Sequence, residues 1–443
     1  MSNPTNPANA VSLEKLIALC KRRGFVYQAA EIYGGLNGVY DFGPLGAAMK
    51  ANIRTAWTKA LKHSGKDVVF FEGAILGPEA EWEASGHLEG FHDPMVDCTN
   101  CKHRFRADHI DLNKSCPDCG LKAWTPVRNF NLMFKTAVGA TAEKASHAYL
   151  RPETAQAIFV NFKNVMTSSR SKIPFGIAQI GKAFRNEITP RQFLFRTREF
   201  EQMELEYFCQ GAQALQDLEF WLDQRKQFYH SLQIDMTKIR FREHAADELA
   251  HYSSRCLDVE YEFPFGWKEL EGIAYRGDFD LSRHTKFSGK DLAVFDEATK
   301  QSFMPHVVEC SVGVDRLFFT LLFDAYHEDI LDGETRVVLK LAPEIAPVKA
   351  AILPLQKQLN SQAELLYKQL SLSTDYNLDL DSSGSIGKRY RRQDEIGTPL
   401  CITYDFESET DQAVTVRDRD TMVQARIKIV ELKNHLDQVL RKN

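Results

Sequence analysis

The sequence has 443 residues, more than one hydrophobic core usually serves, so two or three domains are expected. Its net charge of −5 argues against a protein that coats nucleic acid indiscriminately, although it permits a local basic surface. The N-terminus lacks a basic and apolar signal segment, the longest apolar run (317–323) is too short to span a bilayer, and nine cysteines do not make a secreted disulfide framework. We therefore expect a protein of the reducing cytoplasm, with neither membrane nor DNA as its partner.

The first 71 residues predict two helices and a strand. Ser12 predicts the N-cap of a helix that Gly24 ends, and Pro44 stands in the first turn of the next helix, where its missing N–H is harmless. A strand follows over 68–71. The second helix carries an apolar stripe at helical spacing, which indicates a core-facing surface rather than an interface. The stripe comprises Leu45, Met49, Ile53, Trp57 and Leu61.

Residues 84–150 are interpreted as an insertion, because they hold two CxxC pairs among many polar residues. The pairs are separated by fourteen residues and comprise Cys98, Cys101, Cys116 and Cys119. Four thiolates at this spacing can close a tetrahedron without an open position, which predicts a structural Zn²⁺ site. Unligated or redox-active cysteines are the alternative. The other cysteines are interpreted as small buried hydrophobes: Cys20, Cys209, Cys256, Cys310 and Cys401.

A long antiparallel hairpin is predicted over 175–208, and the rest of the chain is organised around it. An apolar strand over 176–187 precedes a loop over 188–197, and a second strand covers 198–208. Because side chains alternate along a strand, the second strand has one apolar face and one polar floor. The apolar face holds Met203, Leu205 and Tyr207, and the polar floor holds Gln202, Glu204 and Glu206.

The hairpin also brings arginines together with carboxylates. Arg185 and Glu187 share a face of the first strand, and Arg196 and Arg198 repeat that spacing across the turn. Converging guanidinium groups beside carboxylates suit a substrate that carries phosphates, a carboxylate and an ammonium, such as ATP with an amino acid. A solvated hairpin with cross-strand ion pairs is the alternative.

The remaining elements mix helices and strands without a regular βαβ repeat. Helices are predicted from 152 and over 212–232, 242–251 and 312–326, and strands over 257–263, 267–274 and 303–309. This mixture predicts an α+β fold, in which helices flank a largely antiparallel sheet in a main domain of residues 1–334. A smaller α/β domain of residues 335–443 follows. Its strands are predicted over 337–341, 377–380, 400–406 and 413–417, and its helices over 348–370, 386–396 and 422–440.

Charged residues at apolar elements are the next candidates for a site. Glu153, Glu204 and Glu309 are costly there unless paired, and a cluster of them would hold an ammonium. Arg316 interrupts an apolar helix, so it either bonds a neighbouring carboxylate such as Asp315 or reaches an anionic ligand. Glu153 alone also fits a simple helix start. No glycine-rich phosphate loop follows a strand, so arginines would have to replace that phosphate cradle.

A basic run lies on one helix of the second domain. It comprises Lys388, Arg389, Arg391 and Arg392, with Tyr390 among them. Four cations beside an aromatic ring suit single-stranded RNA. A solvated helix face balanced by acidic neighbours is the alternative.

These motifs, in this order, resemble the class II aminoacyl-tRNA synthetases, and specifically the dimeric glycyl-tRNA synthetases. GVYDFGPLGAAMKANI (38–53) resembles motif 1, FRNE with FRTREFEQMELEYF (184–208) resembles motif 2, and ECSVGVDRLFFTLL (309–322) resembles motif 3. Four further segments resemble the glycyl members: SGH with the first knuckle (85–101), RADH (106–109), RPETAQ (151–156) and ELEGIAYRGDFDL (269–281). The resemblance covers nearly the whole chain.

The resemblance implies a role for each matched residue. Arg185 on the α-phosphate and Arg316 on the γ-phosphate would be catalytic, and Phe200 would stack on adenine. The implied ATP contacts are Arg185, Asn186, Glu187, Phe195, Arg196, Thr197, Arg198, Glu199, Phe200, Glu269, Leu270, Gly313, Val314, Asp315 and Arg316. The implied glycine contacts are Arg106, Glu153, Phe200, Glu201, Gln202, Met203, Glu204, Arg276, Glu309, Ser311 and Gly313. Mg²⁺ would accompany ATP.

Several further expectations follow from the resemblance. The C-terminal domain would bind the anticodon of tRNA(Gly), with the basic run on the RNA. Pro44 would mark a homodimer interface, which replaces the core-facing interpretation of its helix. The sequence departs from the family at Cys310, where proline is usual. Because proline fixes φ, Cys310 is expected to loosen a turn before Ser311.

The implied reaction has two steps and needs no protein nucleophile. Glycine attacks the α-phosphate of ATP, and a terminal ribose hydroxyl of tRNA then attacks the glycyl-adenylate. A pocket too crowded for a methyl group would select glycine, so no editing domain is expected. The alternatives are a catalytically silent nucleic-acid-binding relative and a synthetase for serine or alanine.

Overall fold

The computed structural model of the protein describes residues 11–139, 146–188, 190, 192–245, 254–331 and 333–441. The helices are α1 (Leu13–Arg23), α2 (Pro44–Lys62), α3 (Glu79–Ala84), α4 (His87–Gly90), α5 (Ala155–Ser169), α6 (Ala214–Ser231), α7 (Phe279–Ser288), α8 (Val314–Ala325), α9 (Asn360–Ser373), α10 (Ile386–Ile396), α11 (Ser408–Asp411) and α12 (Leu432–Leu440).

The strands of the first part of the chain are β1 (Val26–Gln28), β2 (Tyr40–Phe42), β3 (Val68–Phe70), β4 (Leu76–Pro78), β5 (His92–Asp97), β6 (Arg104–Arg106), β7 (Arg128–Asn131), β8 (Phe134–Val138), β9 (Ser146–Leu150), β10 (Phe175–Phe184), β11 (Glu199–Cys209), β12 (Ile239–Glu243), β13 (Arg255–Phe263), β14 (Gly266–Gly277), β15 (Val294–Asp296), β16 (Gln301–Phe303) and β17 (His306–Gly313). The later strands are β18 (Tyr326–Leu331), β19 (Glu334–Leu339), β20 (Ala350–Pro354), β21 (Leu378–Leu380), β22 (Leu400–Tyr404), β23 (Ala413–Asp418) and β24 (Gln424–Lys428).

A seven-stranded sheet dominates the described residues. Its strand order is β12-β13-β14-β17-β11-β10-β3, and only the β10–β3 pair is parallel. The predicted hairpin is its β10–β11 pair, in which Phe175 lies opposite Phe208 and Phe184 opposite Glu199. This mostly antiparallel sheet with flanking helices confirms the predicted α+β fold.

One face of the sheet carries the main hydrophobic core. Met203, Leu205 and Tyr207 of β11 are buried there, as the alternation predicted. The stripe of α2 packs into the same core, with Ile53 and Trp57 at 0% exposure. The α2 stripe therefore belongs to this chain's own core, and the interface interpretation of that helix surface is wrong.

Cys310 lies inside a strand and not at a turn. It stands within β17, opposite Leu205 of β11 and Ile273 of β14, and is 1% exposed. The expected loosening of a turn before Ser311 is therefore wrong, because the segment continues as paired strand through Ser311. The cysteine acts here as a small buried side chain.

The insertion forms one small sheet, β6-β5-β7, and contributes β8 and β9 to a second, β4-β9-β8, whose strand β4 precedes it. The first sheet holds the cysteine pairs at its end, and Cys98 forms an isolated bridge with Trp124. Phe105 packs edge-on against Trp124, with ring centroids 5.6 Å apart. This contact gives the knuckle only a small apolar core.

The C-terminal part forms a five-stranded mixed sheet in the order β21-β20-β22-β23-β24, as expected for a small α/β domain. Helix α10 covers 386–396 as predicted. The helix predicted over 348–370 is wrong in its first half, because 350–354 is the fully buried central strand β20. The helix predicted over 422–440 is wrong in its first part, where the exposed edge strand β24 replaces it.

Two predictions elsewhere also differ from the structure. The helix expected over 242–251 is wrong at its start, since Arg242 and Glu243 end β12, and its later part (246–251) lies outside the described residues. The strand expected over 337–341 is part of β19, which pairs with β18 in a hairpin and not with the C-terminal sheet. That hairpin packs against α10 through Arg336, whose Nε is 3.3 Å from Asp394 Oδ2.

Candidate active site

A cavity of about 340 Å³ opens over the polar face of the large sheet. Strand pairing aligns polar and small residues in rows across its floor, because paired residues of neighbouring strands point to the same side. One row is Asp258, Gly272, Ser311 and Glu204, and the next is Cys256, Ala274, Glu309 and Glu206. The small residues of β14 leave the space in which a ligand can lie.

Most of the residues predicted from the resemblance line this cavity. They are Glu153, Arg185, Glu187, Phe195, Arg196, Thr197, Phe200, Gln202, Glu204, Glu269, Leu270, Glu309, Ser311, Gly313, Asp315 and Arg316. Motif 2 supplies one wall through the hairpin and motif 3 supplies β17 with the start of α8. Residues from distant parts of the chain therefore meet at one cavity.

Arg185 is held at the end of the hairpin by its backbone and its side chain. Its N–H donates to the Arg198 carbonyl at 2.9 Å, and its Nε donates to the Pro152 carbonyl at 3.1 Å. The guanidinium carbon lies 5.3 Å from the ring centroids of both Phe91 and Phe200. The two aromatic rings restrict the orientation of the fork, and Arg185 lines the cavity.

Arg316 lines the same cavity as the carboxylates. Its Nη1 donates to the Glu269 carbonyl at 2.9 Å and is 3.4 Å from the Glu269 carboxylate. Its guanidinium carbon is 4.6 Å from the Phe195 ring centroid. Asp315 is engaged elsewhere, accepting from Lys50 Nζ at 2.5 Å and from the Glu201 N–H at 2.8 Å. Arg316 therefore contacts a neighbouring carboxylate, as one alternative predicted, but that carboxylate is Glu269 and not Asp315.

Glu204 is the most enclosed carboxylate of the cavity and is 2% exposed. It accepts hydrogen bonds from the Thr154 N–H at 2.9 Å and the Thr154 hydroxyl, from Ser311 Oγ at 2.7 Å and from Gln202 Nε2 at 3.0 Å. The donors fix the carboxylate in one orientation. Burial, together with the charges of Glu153 and Glu309, raises the pKa of Glu204 to about 7.

Two further carboxylates flank Glu204. Glu309 accepts from Arg276 Nη1 at 2.5 Å, and Arg276 also forks onto Asp280 at 2.7 and 2.9 Å. Burial raises the pKa of Glu309, although Arg276 opposes the rise. Glu153 lies 3.4 Å from His87 Nε2. Burial tends to raise the pKa of Glu153, but the charges of His87 and Arg276 outweigh it and lower that pKa.

The structure places several predicted residues away from the cavity. On the core side, Glu201 pairs with Lys50 and Arg54 at 3.0 and 2.7 Å, and Met203 is fully buried. Arg106 lies in the insertion and pairs with Asp93 at 2.8 Å. Asn186, Arg198, Glu199, Val314 and Arg276 do not line the cavity either, although Arg276 pairs with the cavity residue Glu309.

Other cavity residues were not predicted. They are Leu194, His244, Cys256, Asp258, Gly272 and Ala274. The spacing of Cys256 and Asp258 on an alternating strand was the signal that could have found them. Cys256 is only half-buried, so its interpretation as a buried hydrophobe is wrong.

The four cysteines of the insertion form a compact cluster. Cys98 and Cys119 have sulfur atoms 3.6 Å apart, and Cys101 and Cys116 have theirs 3.7 Å apart. All four sulfurs lie within 4.8 Å of one another. In a tetrahedral zinc site with bonds of about 2.3 Å the sulfurs are separated by roughly 3.8 Å, so this cluster can hold a metal ion.

The basic run of α10 is less exposed than its sequence suggests. Arg389 is 3% exposed and donates to the carbonyls of Ser382 and Gly384 at 2.8 Å each. Arg392 forks onto Asp381 at 2.6 and 2.7 Å. Lys388 remains exposed. The helix therefore uses part of its charge to fix the loop before it.

Within the part of the chain that the structure describes, every helix is too short or too polar to cross a bilayer.

An antiparallel sheet with arginines and carboxylates around one cavity, followed by a mixed α/β domain, defines a class II aminoacyl-tRNA synthetase. The family model described as "tRNA synthetase class II core domain (G, H, P, S and T)" matches residues 134–325, and "Anticodon binding domain" matches 349–438. The glycine–tRNA ligase of Geobacillus kaustophilus is 50% identical to this chain, covering 97% of it and 99% of the relative. The glycine–tRNA ligases of Caldanaerobacter subterraneus and Clostridium acetobutylicum are 49% and 48% identical, each over 97% of this chain and 99% of the relative. The chain therefore belongs to the glycine–tRNA ligase family, as its motifs predicted.

Proposed function

We propose that this protein uses ATP to activate glycine as glycyl-adenylate and then transfers the glycyl group to the 3′-terminal ribose of tRNA(Gly). The observation that supports this best is one cavity lined by both buried carboxylates and arginines. Carboxylates suit an ammonium and arginines suit phosphates. A silent relative would have lost this combination.

The buried carboxylates of the cavity support glycine as the amino acid. Glu153, Glu204 and Glu309 would surround the ammonium, and Ser311 already donates to Glu204. A bound ammonium offsets the mutual repulsion of these carboxylates, so the amino acid would complete the cluster. We infer that larger amino acids are excluded sterically, since the carboxylates and Gln202 crowd the space where a side chain would project.

The arginines of the cavity support ATP as the second substrate. We propose that Arg185 binds the α-phosphate and the glycine carboxylate, that Arg316 binds the γ-phosphate, and that Phe200 stacks on adenine. Glu187 is 2.7 Å from Arg196 Nε and would frame the base with it. The half-exposed Glu269 carboxylate offers oxygen ligands that suit Mg²⁺. When bound, Mg²⁺ would neutralise phosphate charge.

The chain's residues would act by positioning and by charge. In the first step a glycine carboxylate oxygen attacks the α-phosphorus and pyrophosphate leaves. The Arg185 fork, restrained by aromatic rings, would stabilise the negative charge that builds up on the phosphorus-bound oxygens. In the second step the ribose hydroxyl attacks the glycyl carbonyl and AMP leaves. Holding both reactants in one cavity supplies the remaining rate enhancement.

The test is amino-acid-dependent exchange of pyrophosphate into ATP with glycine, alanine and serine as separate substrates. Exchange with glycine alone is expected. Exchange with alanine or serine at a comparable rate would contradict the assignment of glycine as the substrate. No exchange with any of the three amino acids would favour a catalytically silent relative.

We propose that the cysteine cluster binds structural Zn²⁺. Because the knuckle has little apolar core, metal binding would supply much of its folding free energy. Removing zinc with a chelator, or replacing Cys116 by serine, is expected to lower the melting temperature and release about one equivalent of zinc, measured by elemental analysis. The matched variant Cys209→Ala should keep the metal. An unchanged melting curve after metal removal would contradict the assignment.

We propose that exposed cations of α10 contact tRNA. Replacing Lys388 by alanine is expected to raise the KM for tRNA a few-fold and to leave glycine-dependent exchange unchanged, because a lost phosphate contact weakens binding without touching activation. Lys368→Ala on α9, an exposed lysine of the same domain, is the control. An equal effect of both variants would indicate only general charge.

We propose that the protein is a homodimer of the reducing cytoplasm. Ile32 and Tyr33, in the loop before Pro44, are 89% and 87% exposed, and such apolar side chains suit an interface. Sedimentation equilibrium should give about twice the chain mass of 50.5 kDa, and Ile32→Asp should shift it towards the monomer. A monomeric mass for the unmodified chain would refute the dimer, and recovery outside the cytoplasmic fraction would refute the compartment.

A further inference from the structure

A second group of metal-ligating side chains lies at the far edge of the cavity floor. It comprises His244, Cys256 and Asp258. Asp258 lies opposite Arg242 in the antiparallel β12–β13 pair, so His244, two residues further along, lies opposite Cys256. The His244 N–H donates to the Cys256 carbonyl at 2.9 Å. Alternation places Cys256 and Asp258 on the same face. The backbone register therefore brings an imidazole, a thiol and a carboxylate together.

The ligand atoms of these residues all lie within 4.8 Å of one another. His244 Nε2 is 2.8 Å from Asp258 Oδ2, and Arg242 Nη2 is 3.0 Å from the same oxygen. Both ring nitrogens of His244 are buried; Nε2 faces Asp258, and among the described residues Nδ1 has no hydrogen-bond partner. A buried imidazole nitrogen without a directed partner is costly, and a ligand would satisfy it.

We propose that His244, Cys256 and Asp258 bind a thiophilic divalent cation of the Zn²⁺ type. Zinc bonds of about 2.0–2.3 Å to nitrogen, oxygen and sulfur place tetrahedral ligands roughly 3.3–3.7 Å apart. The farthest pair has to approach by up to about 1.5 Å, which side-chain rotation supplies. The mixed donor set disfavours Mg²⁺, which prefers oxygen ligands.

Binding of the cation releases one proton and uses one thiolate, one neutral imidazole and one carboxylate. As the metal–sulfur bond forms, the thiol proton of Cys256 leaves to solvent. His244 binds through a neutral nitrogen lone pair, and the Asp258 carboxylate keeps Arg242 as a second partner that orients it. Three protein ligands leave a fourth position for water on the cavity side, as in zinc sites that stay open.

This cation would lie in the same cavity as Glu269 and Arg316. Its charge repels the Arg316 guanidinium and attracts the Glu269 carboxylate, the two groups proposed to hold ATP. We therefore expect the cation to inhibit the enzyme by raising the KM for ATP. This consequence rests on the proposed function, whereas binding of the cation does not.

The experiment titrates the zinc-loaded enzyme with Cd²⁺ and follows thiolate-to-metal charge-transfer absorption. The unmodified protein should gain absorption for about one equivalent beyond the resident metal. Cys256→Ala and His244→Gln should each lose that gain, and Cys209→Ala, a buried thiol of β11, should retain it. Equal absorption in all variants would overturn the proposal, and the two independent variants guard against misfolding of either.

Pyrophosphate exchange measured with and without Cd²⁺ tests the inhibition. A several-fold rise of the KM for ATP in the unmodified enzyme, absent in Cys256→Ala, is expected. If Cd²⁺ binds through Cys256 but leaves the KM for ATP unchanged, the inhibitory role is wrong and the metal site stands. If no exchange occurs with any amino acid, the proposed function fails while the absorption measurement still decides the metal site.

Discussion

Replacing Arg185 by alanine is expected to lower glycine-dependent pyrophosphate exchange by about 10²–10³-fold or more without unfolding the protein, because it removes a guanidinium aimed at charge that develops at the α-phosphate. The side chain is only half-buried and its Nε bonds a single carbonyl, that of Pro152, so the fold loses little. The exchange rate and the melting temperature are the two measurements.

Lysine at the same position separates charge from shape. Arg185→Lys keeps the positive charge but loses the planar fork, so only partial recovery of the exchange rate is expected. The control is Lys182→Ala on β10, the strand that leads to Arg185; its ammonium pairs with Glu199 at 2.8 Å at the surface. Near-normal exchange in Arg185→Ala would refute the assignment of this arginine, whereas equal losses in both alanine variants would point to damage of the hairpin.

The central hairpin could be predicted because its two strands follow simple rules. The period-two alternation of β11 assigns Met203 to the core and Glu204 to the cavity, and the structure has both in place. A resemblance based on contiguous motifs does not show which side of the sheet each side chain faces. It grouped Phe200, Glu201, Gln202, Met203 and Glu204 as glycine contacts, and alternation sends Glu201 and Met203 to the other side of the sheet.

The errors in the C-terminal domain have a physical reason. The run 350–354 is short and wholly apolar, and periodicity cannot distinguish a fully buried parallel strand from a buried helix. Strand β24 is an exposed edge strand, so burial imposes no alternation on it. Both segments are specified by their neighbours in the sheet, which local sequence does not report.

Some site contacts depend on tertiary structure alone. The burial of Arg389 follows from loop carbonyls at Ser382 and Gly384 that converge on its guanidinium, and a basic helix pattern cannot reveal them. Similarly, His244 reaches the cavity only because the β12–β13 register places it opposite Cys256. Long-range register was the missing information in this second case.

Replacing Glu204 by glutamine is expected to raise the KM for glycine by roughly 10–100-fold, since a hydrogen bond to a charged group contributes about 1.5–3 kcal/mol. The amide also offers an N–H₂ group where Thr154 and Ser311 both donate to Glu204. The exposed Glu262→Gln on β13 is the matched control and should leave the KM unchanged. Steady-state exchange at varied glycine concentration provides the measurement.

The pH dependence provides a sharper test of the same carboxyl. In the free protein burial and the neighbouring carboxylates raise the pKa of Glu204 to about 7, so below that pH the group holds a proton that an arriving ammonium must expel. The KM for glycine should therefore fall as pH rises towards 7, by up to about tenfold per pH unit on the acid side. In Glu204→Gln this slope should disappear. If the slope persists in the glutamine variant, the titrating group is another one, and Glu309, whose pKa burial also raises, is then the residue to replace.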